Sequence, residues 1–194
     1  MLTPDFGFPS THNLSVPAAE AVKRLKIVVR DAYRQADVRP VDQVASIKRR
    51  FTFTVRRFDE QTEDRKVVSY CRKWAPARAD STIEVFRKMR KKLAPLQGQQ
   101  RETWLQVMRI GDVAIVGVPA EYFTVLGLDI KQRSPFERTY VAELSNDWIG
   151  YLPDREAHAL GGYQTWMGLH SDAEVGTGER VADEIVEMLK ALKK

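Results

Sequence analysis

Two short stretches carry residue types that could do metal or hydrolytic chemistry. The first is Val118-Pro119-Ala120-Glu121, which sets a carboxylate directly behind an apolar run. If that run is a central strand, the carboxylate lies at its C-terminal end, where ligand sites of α/β sheets gather. The competing reading is a glutamate at a helix start, stabilised by the helix dipole. The second stretch is Asn146-Asp147-Trp148-Ile149-Gly150-Tyr151-Leu152-Pro153, again just beyond a strand-like segment. A phenol next to a cation can ionise and bind it through oxygen. The competing reading is an ordinary packed tyrosine. If the two preceding strands are neighbours, Glu121 and Tyr151 emerge at one edge of one sheet.

Other chemistry is poorly supported. The histidines are His12, His158 and His170, and no two have the spacing of a local zinc pair. His158 reads as a surface residue. Cys71 is the one cysteine, so no internal disulfide can form, and nothing near it marks a nucleophile; it reads as a small buried residue. There is no Gly-x-Ser-x-Gly, phosphate loop or dinucleotide fingerprint.

The elements that must position these residues follow from periodicity. Ala18, Val22, Leu25, Val29 and Ala32 make one helical stripe over residues 17–35, with Pro17 suited to the first turn. Residues 50–58 alternate, with Phe51, Phe53 and Val55 on one face, and predict a strand. Residues 67–71 suggest a second, weaker strand. Ser81 with Glu84 forms a capping box ahead of a helix to Leu93, with Ile83, Phe86, Met89 or Arg90, and Leu93 inward. Pro95 is expected to end that helix by driving Ala94 out of helical geometry. Residues 103–109 and 113–118 predict a strand pair turned at Gly111-Asp112, the second apolar on both faces and therefore central. A helix over 122–132, a strand over 139–144, a short helix over 154–160 stopped by Gly161-Gly162 and an irregular 163–177 follow. A last helix over 178–192 carries Val181, Ile185, Leu189 and Leu192 as its stripe. The mixture predicts an α/β (α+β mixed) fold, helices packed on a mixed β-sheet.

The ordered set Ile110-Gly111-Asp112, Val118-Pro119-Ala120-Glu121, Tyr151-Leu152-Pro153-Asp154-Arg155-Glu156-Ala157 and Gly161-Gly162-Tyr163 resembles the neutral/alkaline (non-lysosomal) ceramidase family, in the C-terminal half of its catalytic domain. The likeness is clearest over residues 104–192. It implies a larger layered sandwich, with 17–194 as a partial catalytic domain behind an irregular lead-in at 1–16. The family consists of zinc-dependent amidohydrolases that split ceramide into sphingosine and a fatty acid. Its zinc is held by two histidines, a glutamate and a tyrosine, and the resemblance carries the last two onto Glu121 and Tyr151. Ala120 stands where the family usually has glycine, and Asp154 where it has threonine. The resemblance places the zinc histidines and the serine-bearing segment in an N-terminal half, and His12 matches neither histidine motif. The expectation is therefore a fragment or an internal start, with the catalytic residues unassigned and two zinc ligands, too few for a tight site. The implied cofactor is zinc, and the implied substrate is an N-acyl lipid or other amide.

Composition bounds the alternatives. The chain has 194 residues, 43% hydrophobic and 29% charged, enough to bury a core. No apolar run approaches a membrane span, and the first six residues lack the basic head and apolar stretch of a signal peptide, while the compartment stays open. The net charge of +5 is uneven: residues 46–101 hold 16 basic against 6 acidic, and residues 102–194 hold 9 against 15. That basic middle (Lys48, Arg49, Arg50, Arg56, Arg57, Lys88, Arg90, Lys91, Lys92) supports a second reading, a non-catalytic module gripping an anionic membrane surface or, less favoured, nucleic acid. The plainer account is a solvated face paired with the acidic half. A third reading is a structural remnant that needs a missing N-terminal half or an oligomer partner to cover it.

Overall fold

The computed structural model describes residues 18–38 and 40–193. The chain divides into two compact units, Met1–Asp42 and Gln43–Lys194. In the first, α1 (Ala18–Gln35) realises the predicted helix, with Arg24 paired to Glu20 one turn back at 2.9 Å. Pro17 and His12 lie outside the described residues. Among the described residues no helix is long and apolar enough to cross a membrane.

The second unit runs β1 (Val44–Thr54), α2 (Glu60–Trp74), α3 (Ala79–Leu93), β2 (Gln100–Ile110), β3 (Val113–Gly117), β4 (Glu121–Tyr122), α4 (Thr124–Arg133), β5 (Arg138–Ala142), β6 (Tyr151–Leu152), α5 (Arg155–Leu160) and α6 (Thr177–Lys193). It is a mixed α/β fold. The main sheet has the order β1-β2-β3-β5, antiparallel except for the parallel pair β3·β5. Gly111 makes the β2–β3 reversal at φ +59°, a left-handed turn position that glycine fills without strain. One face of the sheet presents Phe51, Phe53, Leu105, Val107, Ala114 and Val116, all buried. Against it lies the α6 stripe of Val181, Ile185, Leu189 and Leu192, as the spacing predicts.

Several local expectations change. Residues 67–71 are helical, inside α2, where Val67 and Cys71 lie one turn apart and both are buried. Asp59 caps that helix by accepting from the Thr62 N–H at 2.9 Å, so the β-branched pair Val67-Val68 is overruled by a well-started helix. The strand predicted over 50–58 begins earlier and ends at Thr54; beyond it Val55 exchanges backbone bonds with Gly98 and Gln99, and the Arg56 N–H turns to the Asp172 carbonyl at 2.7 Å. Ser81 is no cap: α3 begins at Ala79, and the Ser81 hydroxyl donates to the Arg78 carbonyl at 3.0 Å. α3 does end at Leu93, yet Ala94 keeps helical angles (φ −50°, ψ −46°). Pro95 stops the helix by withholding its N–H, and a short 3-10 turn, Ala94–Leu96, takes over.

Arg90, not Met89, completes the inner face of α3. Its guanidinium is fully buried and donates to Glu60 (2.8 Å to each oxygen) and to Asp64 (2.7 Å), which locks α3 to α2. A second apolar cluster fills this hairpin: Val67, Cys71, Ala79, Ile83, Phe86 and Trp166. Cys71 is 2% exposed, and burial pushes its thiol up, so the thiolate a nucleophile needs is disfavoured. Trp166 belongs to the irregular 163–177 segment, so that segment is clamped by packing.

Candidate functional site

The site is built where two parallel strands overrun their sheet. Gly117 of β3 pairs with Ala142 of β5, and Glu121 of β4 pairs with Tyr151 of β6. Between these pairs the first chain segment spends three residues, 118–120, and the second spends eight, 143–150. The five extra residues form an excursion that leaves β5 and rejoins at β6. Its path is fixed by backbone bonds: Ser145 N–H to Val118 O (2.9 Å), Ile149 N–H to Pro119 O (2.8 Å) and Glu121 N–H to Gly150 O (3.0 Å). Leu144 and Asn146 adopt positive φ (54° and 71°), a conformation non-glycine residues rarely take.

This geometry answers the conditional expectation about the two strands. β3 and β5 are neighbours, and Glu121 and Tyr151 stand opposite each other at their C-terminal rim. Glu121 is not a helix-start residue: it lies in β4, and α4 begins at Thr124. Tyr151 stands beside Glu121, and hydrogen bonding to that carboxylate, with partial burial behind it, pushes the phenol up to about 12, because ionisation would set two anions side by side. The Trp148 indole N–H also donates to Glu121 Oε1, at 3.4 Å.

Behind the pair sits His170, which local spacing could not have singled out. It is 7% exposed, its backbone carbonyl accepts the Tyr151 N–H at 2.7 Å, and its ring meets Tyr151 edge-on (6.1 Å between centroids). It also lies tilted over Tyr163 at 4.7 Å. Its Nε2 faces the Tyr163 carbonyl at 2.9 Å, so Nε2 carries the proton, and Nδ1 is buried without a partner. Burial lowers the imidazole pKa, which favours the neutral ring.

The remaining buried polar groups brace the 163–172 segment. Arg56, expected on the outer side of its strand, is half-buried and donates to the carbonyls of Thr165 (2.9 Å) and Ser171 (3.0 Å). It also contacts His158 Nδ1 at 3.1 Å. His158 is thus partly buried, not a freely solvated side chain. Burial, with the neighbouring Arg56 charge, holds it down at about 4. Asp172 is 1% exposed and accepts from Arg101 at 2.7 Å, while its burial raises the carboxyl.

The donor set bears on zinc in two ways. Glu121 and Tyr151 supply two adjacent oxygens, a chemistry zinc accepts. Among the described residues no three His, Cys, Asp or Glu side chains gather as a metal group, and the His170 Nε2 is committed to Tyr163. The pair therefore fits as part of a ligand set and falls short of a closed one.

Comparison with known proteins gives little. No family model matches the chain, and no curated protein does. Among solved structures, the neutral ceramidase from Pseudomonas aeruginosa is similar over 47% of this chain and 15% of that one, at 21% identity and a TM-score of 0.42. A ceramidase complexed with C2 is similar over the same shares, at 21% identity and a TM-score of 0.43. The chain thus spans a small fraction of the length of both.

Proposed function

We propose that this chain is a module of a zinc-dependent amidohydrolase of the neutral ceramidase type, acting on the amide of ceramide or a related N-acyl lipid. The observation that carries the reading is the pairing of Glu121 with Tyr151 across β4 and β6 at the rim of two parallel strands. The quoted motifs of the sequence point to the same two residues. Glu121 and Tyr151 would hold the zinc. When bound, the metal would activate a water and polarise the amide carbonyl. The chain's own part is to present the Glu121 carboxylate and the Tyr151 phenol side by side, the phenol's proton passing to solvent water as the oxygen takes up the metal. His170 fixes the backbone of Tyr151 while this happens. Two oxygens give weak binding, so the 194-residue chain is expected to take up zinc weakly and to hydrolyse little.

The test is equilibrium dialysis with zinc, followed by ultraviolet difference absorbance of tyrosinate. Expected is weak uptake with one tyrosinate formed, both lost in Glu121→Ala and Tyr151→Phe. Zinc uptake that neither substitution changes sinks the reading. A tight one-to-one complex abolished by Glu121→Ala keeps the ligands and overturns the expectation of weakness.

A further inference from the structure

A carboxylate at a strand end swings freely unless something holds it. In this site the holding group comes from the excursion between β5 and β6. We propose that Trp148 is a positioning residue for Glu121, its indole N–H fixing the carboxylate beside the Tyr151 phenol. As a statement about metal affinity this rests on the zinc reading above; as a statement about where the carboxylate sits it does not.

The mounting of Trp148 is the main argument. The five extra residues are not slack. Asp147 clamps the excursion from both sides: its Oδ2 accepts from Thr103 Oγ1 on β2 at 2.8 Å, and its Oδ1 accepts the Trp148 N–H at 2.8 Å. Thr103 is buried, so the anchor is in the body of the sheet. Gly117 lets the excursion approach: a Cβ there would lie 3.1 Å from Ser145 Cβ and 3.3 Å from Asn146 Nδ2. The positive φ of Leu144 and Asn146 and the bond from the Ile149 N–H to the Pro119 carbonyl complete the path. Trp148 itself is 51% exposed. Apolar burial therefore does not explain where its ring sits, and the clamp and the indole contact do. Each brace acts on residues flanking Trp148, and the indole N–H that results reaches Glu121. Groups that orient a metal ligand in this manner typically affect metal affinity by about 10–100-fold when removed.

The experiment uses the full 194-residue chain with tryptophan labelled with nitrogen-15. There are four tryptophans, and Trp148→Phe assigns the one that matters. Expected is a Trp148 indole N–H signal that moves to the position of a solvent-exposed indole in Glu121→Ala and shifts part of the way in Thr103→Val. In zinc titrations, Trp148→Phe keeps a ring and loses the donor, and is expected to weaken binding about tenfold. Trp148→His returns a ring N–H at the equivalent position and is expected to recover most of that loss. A merely structural ring would not separate these two variants. An indole signal indifferent to Glu121→Ala overturns the proposal, and so does equal zinc affinity in the Phe and His variants. A wild-type chain that binds no zinc, with the indole still responding to Glu121→Ala, overturns the zinc reading alone and leaves the placement of the carboxylate by Trp148 standing.

Discussion

At the scale of single residues, the phenol–carboxylate pair sets a measurable titration. Tyr151 is expected to ionise near pH 12, and Glu121→Gln is expected to bring its midpoint back toward 10, followed by carbon-13 tyrosine resonance. A raised phenol pKa means the folded state holds its proton more tightly than the unfolded chain. The linked stability is full below about pH 10 and is lost as pH rises toward about 12. An unchanged midpoint in the variant would show that the two groups do not share a proton. His158 runs the other way. Its folded value, about 4, lies below the unfolded 6.5, so its contribution is full above pH 6.5 and is lost as pH falls through about 4. Melting temperature should therefore drop across that window, and His158→Gln should flatten part of the drop. That Glu121 and Tyr151 emerge at one sheet edge was legible in the sequence, because each lies beyond a segment with a strand pattern, whereas their choice as metal ligands came from the resemblance. His170 and the burial of Arg56 were not legible. Their partners lie in an irregular segment, and no periodicity encodes a contact such as Arg56 with the Thr165 carbonyl, 109 positions away.

At the scale of elements, the apolar stripes of β1 and α6 were readable because one face of each is buried and the other is not, and β3 was readable because it is apolar on both faces. α2 was misread because its first half is polar, and only Val67-Val68 looked like structure. Its true signals were the Asp59 cap, acidic Glu60 and Glu63 in the first turn, and Arg72 and Lys73 in the last. The joint between the excursion and β6 was not legible either, since register depends on pairing across the sheet. That joint turns on Gly150, which has φ +83° and where a Cβ would lie 2.4 Å from the His170 carbonyl oxygen. Backbone cannot give way there as a flexible side chain can. Gly150→Ala is expected to cost about 3 kcal/mol, combining backbone strain with the clash. Gly111→Ala is the control: φ is also positive (+59°), but nothing lies within 4 Å, so about 1 kcal/mol is expected. Urea unfolding of the two variants measures the difference, and equal losses would mean that the approach of His170 to Gly150 does not constrain the site.

At the scale of the whole molecule, the question is what the basic middle does. As a linear tract it looks like a polyanion-binding surface. In three dimensions much of it is already engaged. Arg90 is buried between Glu60 and Asp64, Arg56 faces backbone carbonyls, and Arg50 pairs with Glu102 at 3.3 Å. Arg49 reaches across to Glu184 of the acidic C-terminal half, the pairing that a solvated-face account requires. Lys88 lies 3.6 Å from Glu84, and Lys48 sits 5.0 Å from the Trp104 ring. Of the nine basic residues in the patch, Arg57, Lys91 and Lys92 have none of these engagements. Each phosphate neutralised contributes about −0.9 to the slope of log affinity against log salt, so three such residues set a slope of about −3. Fluorescence anisotropy with a DNA duplex across a salt series is therefore expected to give weak binding with a shallow slope. A slope of about −8 would require Arg49, Arg50 and their neighbours to leave their carboxylates for phosphate, and would return the basic middle to the centre of the protein's function.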